Sequence, residues 1–344
     1  MKTTVFTLIF SLTLLLNAQK KTVSIEFNKN LDFFGYLVHL GEPGDDDPNH
    51  PISIILSNYK DNQSNPLLQE IYGNASDFTF AMFVEFFYND LPELPFSSDY
   101  NLDGLIQKKY HYKSEEDKEA LKDLMLLVNR FYRESQFETI WNQLEPHRAK
   151  TFENLKNRLP SDSVIKLMES FYEQHFNFYK IVPSLTIWPT AGWGLKNSEL
   201  STDSFILGPL QKNFDFTDMA RFENLAIHEF GHSFVNHIVL ENNNTISNTS
   251  SLYEPLKGKM IPQGYNDWEN CIIEHFVRAS EIIIPELLNN GTQTDTIRDD
   301  YINNRGFVSL PFIITQLKHY RLTKRYSYKE SVRRTIEDLK ERYL

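Results

Sequence analysis

The stretch Arg221 to His237, RFENLAIHEFGHSFVNH, constrains this chain more than any other. As a helix it places His228 and His232, four residues apart, on one face with Glu229 beside them. Met219, Phe222, Ala226, Phe230 and Phe234 collect on the opposite side as an apolar back. Such a helix must pack against a core on one side and open onto a polar site on the other. Thr217 or Asp218 can cap its start, and Gly231 lowers helix propensity but lets another backbone come close. Paired imidazoles at this spacing, H-E-x-x-H, suit one cation with a glutamate at hand as base, the arrangement of a zinc hydrolase.

Two histidines leave a tetrahedral zinc site incomplete, so a third protein ligand is required. His237, nine residues after His228, turns to the opposite face of the helix and is no ligand. Ile238 stands six residues after His232, where a third histidine would fall in the metzincin pattern. A second helix from Trp268 to Ile284, capped by Asp267 and stopped by Pro285, offers a better answer. Ile272, Phe276, Ala279 and Ile283 form its apolar face, while Ile273, Val277, Ile282 and Ile284 cover the flanks. Only Glu274, Arg278 and Glu281 make a charged stripe, which must meet solvent or a polar site. Glu274 is the expected third ligand and Glu281 the alternate, with Glu269 on the far side. Arg278 and Glu281 are candidates to fix ligand orientation from behind.

A net charge of −11 argues against nucleic acid or anionic lipid as the main partner. The single cysteine, Cys271, permits no intramolecular disulfide and reads as a small buried residue. Burial alone must then hold the chain together, and 26 Phe, 17 Tyr and 4 Trp supply the large side chains. Residues 1–18 read as a secretory signal: Lys2, an apolar run from Val5 to Leu16, then Asn17 and Ala18. The run is too short to span a bilayer, so the expected protein is exported, periplasmic or extracellular, with no membrane contact after cleavage.

The expected architecture is α+β and mainly helical: a helical N-terminal lobe over residues 19–180 and a catalytic lobe over residues 181–344, with the cleft between them. Thr22 to Phe27 alternates as a strand, and Leu31 to Leu40 reads as a helix ended by Gly41. Further helices are predicted over Ala75 to Phe87, Ser114 to Tyr132, Phe137 to Leu159 and Asp162 to Tyr179; Leu121, Leu124, Met125, Val128 and Phe131 share one stripe. Ser184 to Trp188 and Ser204 to Leu207 read as strands of a hairpin about a bend from Thr190 to Gly194. An edge there would hold an extended peptide by backbone hydrogen bonds. The Asp45-Asp46-Asp47 run lacks calcium-loop spacing and reads as a solvated turn, and Glu241 to Leu252 as a polar loop or flap. Helices from Leu310 to Tyr320 and Lys329 to Tyr343 complete the chain, and His111, His147 and His175 stand singly.

His228-Glu229-x-x-His232 with a glutamate on a later helix resembles the gluzincin group of zinc metallopeptidases. More closely, the runs HEFGHSFVN and EHFVRA are similar to a family of secreted bacterial metallopeptidase-like proteins labelled a domain of unknown function, over about Ile181 to Pro285. The resemblance implies a zincin-like catalytic part with Zn2+ held by His228, His232 and Glu274, and Glu229 as catalytic base toward a zinc-bound water. A polypeptide is the implied partner, and a monomer suffices. Tyr253, Tyr265 and Arg278 are candidate donors to the developing oxyanion. Arg278 departs from the thermolysin-like pattern, which has an acid four residues after the ligand. Two rivals remain: an exported, non-catalytic protein that keeps the fold to hold a polypeptide or glycan, and a zinc hydrolase of other amides.

Overall fold

A computed structural model describes residues 21–41, 48–76, 78–187, 192–209, 216, 222–288 and 291–343. The signal-like segment, Asp45 to Asp47, Trp188, Thr190, Ala191, Thr217, Asp218, Met219 and Arg221 lie outside the described residues.

Helices surround one small sheet, an α+β arrangement. Strand β1 (Val23–Ile25) pairs parallel with β2 (Phe178–Pro183), which pairs parallel with β4 (Thr202–Leu207). Strand β3 (Gly192–Asn197) pairs antiparallel with β4 and forms the sheet edge. Strand β4 is buried throughout, as a central strand covered on both faces should be. Its Phe205 meets Phe222 and Phe230 of the motif helix, Phe222–Leu240. Ala226 and Phe234 are buried on the same back, and Tyr172 stacks on Phe234 at 4.6 Å.

The hairpin differs from the expected one. The Ser184 amide continues the pairing to the Leu207 carbonyl at 2.8 Å, but beyond it the chain to Ile187 leaves the sheet because its polar groups turn to Asp32 instead. Ser184 Oγ and the Leu185 amide donate to Asp32 Oδ1 at 2.6 and 2.8 Å, and Thr186 Oγ1 donates to the Asp32 carbonyl at 2.7 Å. Burial pushes the Asp32 carboxyl up to about 6, against the pull of these donors. The hairpin is β3 with β4, so Gly192 and Gly194 lie in a strand rather than in a bend. Their role is close approach: a Cβ on Gly192 would stand 2.3 Å from Glu229 Oε1, and one on Gly194 only 1.7 Å from the Glu229 carbonyl oxygen.

The second helix spans Trp268–Leu287, with Asp267 accepting from the Asn270 amide at 2.7 Å; it ends two residues after Pro285 rather than before it. Other boundaries also moved for identifiable reasons. The predicted 137–159 helix breaks at Leu144 into Phe137–Gln143 and Glu145–Leu155, because Pro146 donates no hydrogen bond and crowds the preceding turn. The predicted 162–179 helix stops at Tyr172, where Glu173 adopts a left-handed φ of 57° before the chain enters β2. The predicted 75–87 helix starts at Phe80, where Thr79 accepts from the Met82 amide, and it passes into a π turn over Phe86–Asp90. Helix Glu115–Glu134 buries Leu121, Leu124, Met125, Val128 and Phe131 as the stripe predicts.

The polar stretch after the motif is corrected from loop to helix. Asn243–Ser247 and Ser250–Leu256 are helical, pinned by buried Ile246, Thr249, Tyr253 and Leu256. Trp268 Nε1 donates to Thr249 Oγ1 at 2.9 Å, which ties this segment to the second helix. A helix over Gly291–Asn303 had no counterpart in the sequence reading. Among the described residues no helix is long and apolar enough to cross a membrane.

Gly194→Ala should lower stability by about 1–3 kcal/mol, since backbone rather than a flexible side chain blocks the new methyl. Gly73→Ala, in helix Pro66–Asn74 with nothing within 4 Å of its added Cβ, should be neutral or stabilising by up to about 1 kcal/mol. Thermal unfolding of both variants decides it; equal Tm values would mean that β3 does not depend on the close contact.

Candidate metal centre

The motif helix and the Trp268–Leu287 helix pack along one another, and their facing polar residues meet. Glu274 Oε1 lies 3.3 Å from His232 Nε2, and Glu274 Oε2 lies 3.7 Å from His228 Nε2. The three ligating atoms stand within 4.8 Å of one another, and the group can hold a metal ion. The two imidazole rings are 5.0 Å apart and almost perpendicular.

Each imidazole is fixed from behind by its other nitrogen. His228 Nδ1 pairs with Glu281 Oε2 at 3.2 Å, and the same oxygen accepts from the Tyr301 hydroxyl at 2.7 Å. His232 Nδ1 pairs with Asn236 Oδ1 at 3.1 Å, one turn along its own helix. Both Nε2 atoms are thereby left for the centre. Glu281 is thus the orienting carboxylate and Glu274 the converging one. The charged stripe of the second helix is buried, with Glu274, Arg278 and Glu281 at 7%, 5% and 3% exposure, so it is not a solvated face.

Arg278 Nη2 is 3.2 Å from Glu274 Oε2 and donates to the Tyr265 hydroxyl at 2.8 Å. Its guanidinium lies over the rings of Tyr301 and Phe307 at 4.4 and 4.6 Å. Burial alone would raise the Glu274 carboxyl, but Arg278 and the two imidazoles outweigh it and hold Glu274 far below the usual carboxylate range. Burial lowers the His232 imidazole, yet Glu274, Glu229 and Asn236 overcome this and lift it to about 9. Glu229 moves the other way: burial pushes its carboxyl up, Glu274 adds to the rise, and the imidazoles and Arg278 oppose it.

The residues present fit a divalent cation on three counts. Two imidazoles and a carboxylate are a zinc-type donor set. Glu274 Oε2 is buried without a hydrogen bond, although its ligand-facing position is ideal for one more partner. Three buried carboxylates, Glu229, Glu274 and Glu281, face one buried guanidinium, so a doubly charged cation would bring the cluster to neutrality.

A cleft of about 1040 Å³ opens over this cluster. Its walls include Met82 and Glu85 on one side, Gly192 to Leu195 of β3, and Gln263, Tyr265, Tyr301 and Arg305 on the other. Of the expected oxyanion donors, Tyr265 and Arg278 line the cleft. Tyr253 instead spends its hydroxyl on the Tyr265 carbonyl. His237 is half-buried outside the group, and Cys271 is buried and free. Sequence reasoning missed Asn236, Tyr301, Gly192 and Gly194. Only Asn236 carried a local signal, its i+4 spacing from His232.

Fold and site together define a mainly helical α+β protein with a His-His-Glu group that could hold a metal ion. A family model described as Domain of unknown function (DUF4932) matches residues 93–333, and the chain belongs to that family. No curated protein and no solved structure matches it.

Because His232 carries a proton at pH 7 in the metal-free chain, a cation must displace it. Apparent zinc affinity should therefore rise with pH up to about 9, and calorimetry in two buffers of different ionisation enthalpy should register proton release at pH 7. A flat affinity from pH 7 to 9 would contradict the proposed protonation. Glu281→Gln should weaken metal affinity by about 10–100-fold while leaving the ligands in place.

Proposed function

We propose that the protein is a zinc-dependent metallopeptidase of gluzincin type, exported and acting on polypeptide substrates. One observation carries this reading. Glu229, 5% exposed, accepts no hydrogen bond from any described residue, yet it lies beside the His-His-Glu group and directly beneath the edge strand β3. A carboxylate outside the ligand group, held in the cleft by charge and by no hydrogen bond, keeps its oxygens free for a proton, which a non-catalytic binding protein would not need.

Zinc, when held by His228, His232 and Glu274, supplies the electrophile that polarises the scissile carbonyl and makes water acidic near neutral pH. The edge of β3, unpaired on its outer side among the described residues, offers backbone groups to an extended peptide, and Gly192 and Gly194 keep that edge close to Glu229. The Glu229 carboxylate takes the proton of the attacking water and hands it to the leaving amine. Its upward shift brings its basicity nearer to neutrality, where such a group works best. The Tyr265 hydroxyl accepts from Arg278, so its own proton is free to be donated to the oxyanion. The Arg278 guanidinium holds both Glu274 and Tyr265 in place.

Glu229→Gln should retain metal at wild-type occupancy and lose about 10²–10⁴-fold in peptide hydrolysis on an unfolded protein substrate. Undiminished turnover in a metal-loaded Glu229→Gln chain would rule it out as the base. Glu274→Ala should lose the metal, read by elemental analysis of the purified chain. Tyr265→Phe should reduce kcat by about 10²-fold or more with KM little changed.

A further inference from the structure

We infer that Arg305 is an anchor for a substrate carboxylate, so that the cleft prefers peptides carrying an acidic side chain or a free C-terminus near the scissile bond. This rests on the metallopeptidase reading for the peptide but not for the carboxylate. Two arginines line the cleft, Arg278 and Arg305. The first is committed to Glu274 and Tyr265. The second has no carboxylate of the described residues within ion-pair distance, although it sits half-buried in the wall of the cleft.

The side chain is nonetheless held in one place. Arg305 Nε donates to Gln263 Oε1 at 2.9 Å, and Gln263 Nε2 donates back to the Arg305 carbonyl at 2.8 Å. The guanidinium carbon lies 5.3 Å from the centre of the Tyr301 ring, the same ring that carries Arg278. Gln263 and Tyr301 thus engage Nε and one flank of the group. The two terminal nitrogens remain as a fork, which matches the two oxygens of a carboxylate. A guanidinium held by Gln263 in the same cleft as the metal group, without a carboxylate among the described residues, loses little side-chain freedom on binding an anion, so most of the charge-assisted bond appears as affinity.

The shared Tyr301 ring places Arg305 a short way along an extended peptide from the scissile bond. Two sources of the carboxylate fit: an Asp or Glu side chain of the substrate, or its terminal carboxylate. The first would make the protein an endopeptidase selective for acidic sites, the second an exopeptidase acting near C-termini.

The test is calorimetric binding of short peptides to the zinc-loaded full chain carrying Glu229→Gln, so that nothing is cleaved. One set moves a single Glu along an otherwise neutral peptide, with Gln controls; another compares a free with an amidated C-terminus. The expected result is at least about tenfold tighter binding of one carboxylate form over its neutral counterpart, falling toward parity on Arg305→Gln and partly retained in Arg305→Lys. Preference in the first set alone identifies a side chain, and in the second alone the chain end. Equal affinities, or a preference indifferent to Arg305→Gln, overturn the inference. So does an Arg305→Gln chain that loses neutral and acidic peptides equally, since that is the mark of a loop support. Cleavage by the wild-type chain without carboxylate discrimination would reject this site and keep the peptidase; discrimination by a chain that cleaves nothing would do the reverse.

Discussion

The Glu274 carboxylate, buried where two helices cross, is the point on which the rest of the site depends. An ionised carboxylate removed from water is tolerable only with compensating charge at contact distance. Arg278 provides it as an ion pair, and His228 and His232 turn their Nε2 atoms to the same carboxylate. Each of these in turn needs an anchor, which explains the next layer: Glu281 and Tyr301 behind His228, Asn236 behind His232, and Tyr265 with two aromatic faces around Arg278. The polar network therefore extends from helix Phe222–Leu240 through helix Trp268–Leu287 to Tyr301 of helix Gly291–Asn303. Removing any inner member leaves a buried charge uncompensated, so selection for a folded chain and for an intact site act on the same residues.

The sheet is coupled to this cluster by contact rather than by charge. Ser233, next to His232, donates to Asp203 of β4 at 2.7 Å, and burial pushes that carboxyl well above its ordinary range. On the other side of the hairpin, two glycines let β3 rest directly on the turn that carries Glu229. The motif helix is thus located along its axis by one hydrogen bond and in height by two missing methyl groups. A carboxylate and an edge strand held at fixed separation are what the proposed reaction on an extended peptide would require.

Much of this was legible in the sequence because helices write their faces locally. The spacing of His228, Glu229 and His232, the apolar back of the same helix and the stripe of Glu274, Arg278 and Glu281 all follow from a period of 3.6 residues. The choice between Glu274 and Glu281 was not legible, since seven residues apart they occupy the same stripe. Only the relative height of two helices decides that one meets Nε2 and the other Nδ1. Strand order and the role of Gly192 and Gly194 were hidden for the same reason, as non-local pairing leaves no period. Composition misled at the Asn-rich stretch, where a few buried anchors, Ile246 and Thr249 among them, outweigh a polar majority. Tyr301 lies in, and Arg305 just after, a helix too polar to be marked by an apolar stripe, and their importance comes from what they reach.

The single cysteine gives the metal group a second physical meaning. Cys271 is buried and free, so no disulfide closes any loop of this chain. His232 and Glu274, about forty positions apart, are brought together at the centre, and a cation bound between them closes that loop as a cross-link would. Closing a loop of that length removes on the order of 4 kcal/mol of chain entropy from the unfolded state in the simplest treatment. The enclosed segment is the same polar, weakly driven stretch that packs through Ile246, Thr249 and Trp268. Its helices gain order from having both ends fixed, which is an economical way to hold a sequence that composition alone would leave as loop. Cation binding and the folding of this wall of the site are then linked, because binding that is confined to the folded state adds to its stability.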